Sequence, residues 1–236
     1  MKDVAAAAVA LLTALLSATA GGADVYFEQT TVSTTPGAAT GPGVASRVWY
    51  SGKRMRMEPG GAGSAPAFIL RLDTGQAWRL DPATRTALAV DMERLRSQAQ
   101  MDLAMAGDLM GAEEGAARTV PLRARKTIAG YPCRGFRITS AASVMDVYVT
   151  DALPVGIEAF TDFLEWSGAS ESLAGLMGEL RRLPGFPLQT RSRVTVLGEE
   201  HETVSTVTKV KVGPLAPALF ERPRDYRLQA AAPPQP

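Results

Sequence analysis

The chain of 236 residues contains one cysteine and one histidine, and these two scarcities remove most of the chemistry available to a protein of its length. One thiol cannot close an internal disulfide, and no C-x-x-C pair is present for redox work or zinc. One histidine, His201, excludes an H-E-x-x-H metal site and most hydrolytic triads, and neither a Walker loop nor a dinucleotide fingerprint occurs. An excess of either charge is missing too. Lys and Arg number 25 against 24 Asp and Glu, a net charge of +1, which argues against nucleic acid as a main partner, since phosphate binding normally needs a basic stripe. Acidic neighbours do occur at Glu113-Glu114 and at Glu199, Glu200 and Glu202. Without the spaced oxygen ligands of a calcium loop they read as solvated turns. No catalytic residue, metal or cofactor is expected.

Long hydrophobic runs are also scarce. The apolar stretch Val4 to Leu16 follows Lys2 and ends in small residues, short of the ~20 residues that a bilayer core requires. Ser17-Ala18-Thr19-Ala20 offers a cleavage site after Ala20, and Gly21-Gly22-Ala23 a second after Ala23. Residues 1–23 therefore read as an export signal, and the mature protein is expected in the periplasm with no transmembrane span. No cysteine lies near either site to take a lipid. With 46% hydrophobic residues, residues 24–228 can bury one core as a single domain, and 229–236, QAAAPPQP, reads as a disordered tail. The lone Cys133 is expected to be a buried, inert free thiol.

What the chain does have is alternation. Arg134–Ser140 and Ser143–Thr150 form two runs of period two bounded by Gly-Tyr-Pro and Leu-Pro, the pattern of a β-hairpin in an antiparallel sheet with one apolar face. Asp24–Thr35 reads as a first strand, and 44–58 as a hairpin turning at Ser51-Gly52-Lys53, with Met55 and Met57 on one side. Phe68, Leu70 and Leu72 alternate with polar neighbours before Asp73-Thr74-Gly75. Trp78 and Leu80 are expected to face inward on the return, and Leu88 and Val90 continue the pattern. A strand over about 119–128 precedes the central hairpin. Val194 and Val196, then Val204, Val210 and Val212, mark a closing hairpin, followed by a short turn over 214–220 and a final edge contact near Tyr226.

Helical spacing interrupts the sheet. Asp91 is placed to cap a helix reaching about Gly111, with Leu95 and Leu103 on a docking stripe and Met101, Met105 and Leu109 on the other side. That second stripe suits either a helix buried between layers or a lid over an apolar ligand. Ile157, Phe160 and Leu164 predict a short second helix, and Leu173, Leu176, Met177 and Leu180 a third.

Short motifs punctuate these elements: Tyr50 with Arg54-Met55-Arg56, Ile128-Ala129-Gly130-Tyr131-Pro132-Cys133, Val147-Tyr148-Val149-Thr150 with Leu153-Pro154, Gly185-Phe186-Pro187-Leu188, and Leu219-Phe220-Glu221 with Pro223 and Tyr226. In this series the chain resembles a family of exported bacterial proteins known as a domain of unknown function, itself similar in architecture to the LolA/LolB-type lipoprotein carriers and receptors. The resemblance implies a mainly β (α+β) fold: a curved, unclosed antiparallel half-barrel covered by about three helices and able to hold acyl chains. Unlike the LolB-type receptors, the chain has no acylated cysteine after its signal.

Two classes of function follow. In one, the sheet and helices enclose an apolar cavity for a lipid or lipoprotein acyl chain. Its candidate lining is Met55, Met57, Phe68, Leu70, Trp78, Leu80, Leu88, Met101, Met105, Leu109, Phe136, Val147, Val149, Phe160, Leu164, Val194 and Val196. In the other, the same face is fully packed, and the chain is an interaction or scaffolding module for another envelope protein.

Overall fold

A computed structural model describes residues 24–34, 43–60, 65–91, 93, 94, 97, 117–140, 143–157, 174–196 and 199–229. The strands are β1 (Val25–Thr34), β2 (Val44–Ser51), β3 (Arg54–Pro59), β4 (Ala67–Arg71), β5 (Gln76–Asp81), β6 (Thr86–Ala89), β7 (Arg118–Ile128), β8 (Tyr131–Thr139), β9 (Ser143–Thr150), β10 (Phe186–Val196), β11 (Glu199–Val212) and β12 (Arg227–Gln229). Among the described residues they form one sheet in the order β12-β6-β5-β4-β3-β2-β1-β11-β10-β9-β8-β7. Neighbours in sequence are neighbours in the sheet almost throughout, because short turns of Gly, Asp and Pro leave antiparallel pairing as the available connection. The long-range seam joins the first strand to the eleventh: Val25 faces Val212 and Thr34 faces Glu202, with a bulge at Glu28/Gln29. β12 is the exception in direction, pairing parallel to β6.

Local chemistry sets the turns. Between β7 and β8, Ala129 and Gly130 have φ of 49° and 85°, both left-handed, as a two-residue hairpin loop that matches the strand twist requires. The motif Ile128-Ala129-Gly130-Tyr131 is therefore a turn signature.

Curvature follows from the core. Leu70 of β4 and Ala77 of β5 belong to the same buried cluster as Ile138, Met145 and Val147 of β8 and β9. From β4 to β9 there are six strand spacings, about 29 Å on a flat sheet at about 4.8 Å each. The sheet must bend to bring them together. Its ends, β7 and β12, do not pair with each other, so the half-barrel stays open.

Helix α1 (Ala174–Arg181) fills part of the inside. Leu176, Met177 and Leu180 are buried with Ile157 and Leu183 in that cluster, each contributing roughly 1.5–3 kcal/mol of apolar burial. The helix ends where Leu183 N–H donates to the Leu180 carbonyl and Pro184 cannot continue it. Among the described residues α1 is the one complete α-helix, where the sequence predicts about three. Of the helix predicted from Asp91, Glu93, Arg94 and Ser97 are helical, and the Arg94 N–H donates to Asp91 Oδ1 at 3.0 Å, the cap expected there. The remainder of that helix, and Phe160 and Leu164 of the next, lie outside the described residues, as do the export signal and residues 230–236; Gln229, expected to begin the disordered tail, instead ends β12, where it pairs with Leu88.

One inward assignment is overturned. Trp78 and Leu80 lie on the outer face, with Ala67, Ile69 and Ala87, in a separate apolar cluster that includes Tyr226. Period two on β4 and β5 gives two apolar faces. The inner one meets the barrel interior. The outer one is near the C-terminal segment, where a 3-10 turn (Pro217–Phe220) buries Phe220 completely.

Candidate functional site

Register across the ladders defines what faces the interior. One row runs Phe136, Val147, Thr190, Ser205, Thr31 from β8 to β1, and the next runs Ile138, Met145, Ser192, Thr203, Ser33. On the other side, Phe27, Val48, Met57, Phe68, Arg79 and Leu88 form a row from β1 to β6, and Val25, Tyr50, Met55, Leu70 and Ala77 another. Two apolar walls thus flank a polar floor built by β10, β11 and β1.

The two walls differ in cover. The β8–β9 wall is the better covered: Ile138, Met145, Val147 and Val149 are all buried, in one cluster with α1, and Phe136 is partly buried against it. The β3–β6 wall is not. Met55, Met57 and Leu88 are only partly buried, and Phe68 is 37% exposed although it sits on the inner face. An aromatic ring left open on the concave side of a sheet is the kind of apolar surface that a ligand covers.

The inner face carries Arg79 opposite Phe68 and Leu88, while the charged contacts around β9 lie outside. Arg137 grips Asp146 with Nε at 2.6 Å and Nη2 at 2.8 Å, and that guanidinium holds the Asp146 carboxyl below its ordinary range despite burial. Lys126 lies 4.0 Å from the Tyr148 ring centroid and donates to Gln189 Oε1 at 2.6 Å; burial, with Arg191 nearby, lowers its pKa. All of these positions alternate with the interior ones. Among the inner positions of β1, β10 and β11, the ionisable side chains are His201 and, at the start of β11, Glu199.

Cys133 is buried and free, its Sγ donating to the Tyr131 carbonyl at 3.4 Å, and burial pushes its thiol pKa up. A thiol held protonated is a poor nucleophile. His201 cannot act as its base. Cys133 lies level with Thr150 and His201 with Ser143, at opposite ends of β9, a separation of about 23 Å along the strand at about 3.3 Å per residue.

The structure places Met55, Met57, Phe68, Leu70, Leu88, Phe136, Val147, Val149 and Val194 on the inner face, and Trp78 and Leu80 on the outer. Val196 is in β10, its side chain outside the described residues, as are Met101, Met105 and Leu109. Sequence reasoning missed the floor. Gln29, Thr31 and Ser33 continue the inward alternation begun by Val25 and Phe27, a signal present in the sequence but masked by the β-branched character of the whole strand.

A family model described as a domain of unknown function, DUF4412, matches residues 55–226. No curated protein matches the sequence. Among solved structures the chain is similar to an uncharacterized conserved protein from Thermus thermophilus, at 11% identity and a TM-score of 0.47, covering 96% of this chain and 99% of that one. It is also similar to a LolA superfamily protein from Nitrosomonas europaea, at 10% identity and a TM-score of 0.35 over 90% and 96% of the two chains. A domain from Vibrio parahaemolyticus described as outer membrane lipoprotein-sorting aligns at 11% identity and a TM-score of 0.36 over 89% and 94%.

Proposed function

The chain belongs to the DUF4412 family, and from that premise we propose that it is a non-catalytic, exported envelope protein that holds an acyl-bearing lipid, free or as the lipid part of a lipoprotein, inside its half-barrel. The observation that carries this reading is the partly uncovered inner wall of Met55, Met57, Phe68 and Leu88, on strands whose outer face is packed around the fully buried Ile69 and Leu80. A sheet that closes one face and leaves large apolar side chains open on the other is built to receive an apolar occupant, at about 25 cal/mol per Å² covered.

A protein-interaction module is the other reading, and β7 would be its docking edge. That strand has one strand neighbour among the described residues. Yet it carries Pro121, a bulge between Pro121 and Arg125, and exposed Arg118, Arg123, Arg125 and Lys126, the devices by which edges resist strand addition. The lipid reading is the stronger.

Titration of a fluorescent fatty acid into delipidated protein tests it. Wild type is expected to bind. Met57→Glu and Phe68→Glu are expected to lose at least about tenfold in affinity, because a carboxylate must be desolvated when the ligand arrives, while the melting temperature falls little because both sites keep contact with water. Failure of the wild type to bind any apolar probe overturns the proposal.

A further inference from the structure

The floor between the walls is polar, buried and incompletely satisfied. Gln29, Thr190, Thr203 and Ser205 are each 5% exposed or less. Thr31 Oγ1 and Ser205 Oγ share a hydrogen bond of 2.7 Å, and Ser33 and Thr203 one of 3.3 Å. Gln29 Nε2 and Thr190 Oγ1, by contrast, have no hydrogen-bond partner. Both point inward by register: Gln29 stands opposite Val207, one step along β11 from Ser205, and Thr190 stands opposite Ser205 itself. A buried amide or hydroxyl without a partner destabilises a fold unless something binds to it. Here two such groups lie on one surface, on either side of β11.

The chemistry of the floor limits what it can bind. Its two unpartnered atoms are an N–H donor and a hydroxyl able to donate; the ionised side chains around them, Glu28, Arg191, Arg193, Glu202 and Lys209, occupy the alternate, outward positions, and Glu199 is inward only at the far end of β11. An anionic or cationic headgroup would find no counter-charge there. An uncharged acceptor would find its donors. Resting on the lipid reading above, we propose that Gln29 and Thr190 form a subsite for the ester carbonyls of the ligand, so that the protein prefers acyl esters of the diacylglycerol type to lipids whose chains are joined through ethers. The chains lie along the apolar wall at Met57 and Phe68, and the carbonyls sit over the floor, where the amide and the hydroxyl donate to them.

The test compares dioleoylglycerol with its dialkyl ether analogue as competitors of a bound fluorescent fatty acid, using the mature chain. Wild type is expected to bind the ester at least about tenfold more tightly than the ether. Thr190→Val and Gln29→Leu are expected to abolish that preference by weakening ester binding alone, and Thr190→Ser, which keeps the hydroxyl, to retain it. The shape-conserving Thr190→Val should hold or raise the melting temperature, so lost preference is not lost folding. Equal affinity of wild type for ester and ether, or a preference that survives in both variants, overturns the subsite and leaves the lipid reading intact. Failure of every apolar probe to bind wild type overturns both.

Discussion

At the scale of single residues, two side chains and one missing side chain explain much of the β8–β10 region. Gly185 has φ of +101°, and a Cβ there would fall well inside contact distance of the Thr150 carbonyl oxygen. Strain in the left-handed region and a clash with backbone therefore act together. Gly185→Ala is expected to destabilise by upward of about 2 kcal/mol, measured by urea denaturation. The Arg137–Asp146 pair adds a pH dependence. Its folded-state carboxyl pKa is depressed, chiefly by the Arg137 hydrogen bond, so its contribution is whole above about pH 4, the ordinary carboxylate value, and is lost as pH falls through the lowered one. Because the Arg137 side chain is 40% exposed, the pair is worth only on the order of 1 kcal/mol. Asp146→Asn should be less stable than wild type at pH 7, and the gap should shrink in acid as wild type titrates. Position 185 is readable from sequence as part of a Gly-Phe-Pro-Leu motif but its reason is not, since the clashing carbonyl belongs to the end of β9, on the far side of α1 in the chain.

Among elements, the strands are the most legible. The first β-hairpin turn, the return at Asp73-Thr74-Gly75, the β8–β9 pair and the closing hairpin all emerge from period two and turn residues, because each of these pairings is local. The C-terminal segment is not legible in that way. Its short turn can be placed, but nothing in residues 214–229 states that Phe220 belongs beside Arg54 of β3 and Tyr226 with the outer cluster of β4 and β5, so alternation alone puts Trp78 and Leu80 on the wrong side. Period two separates two faces without saying what covers either. Arg54 holds the Phe220 ring, its guanidinium 5.2 Å from the centroid, and Arg56 Nη1 donates to the Leu219 carbonyl at 3.1 Å. Phe220→Ala should accordingly cost about 3–5 kcal/mol, as a lower melting temperature with the transition still cooperative. A change under about 1 kcal/mol, below the usual cost of emptying a buried aromatic site, would mean that this segment does not clamp the sheet.

For the molecule as a whole, the sequence yields a one-sided antiparallel sheet, while its closure into a half-barrel depends on the β1–β11 seam, whose partners lie at the two ends of the chain. The polar floor is built on that seam, which is why Gln29 and Thr190 cannot be associated from sequence: they meet across β11 only once the ends are joined. The resulting interior has one wall largely covered by α1, one wall left partly open, and a floor whose central positions, Gln29, Thr31, Thr190 and Ser205, carry no ionised side chain. The central claim is that this interior holds an acyl lipid. Native mass spectrometry of protein gently purified from the cell envelope tests it most directly. The expected spectrum shows the chain cleaved after Ala20 or Ala23 and carrying a non-covalent adduct in the mass range of an acyl lipid, absent from Phe68→Glu. A bare polypeptide mass, unchanged after incubation with diacylglycerol vesicles, would contradict the account.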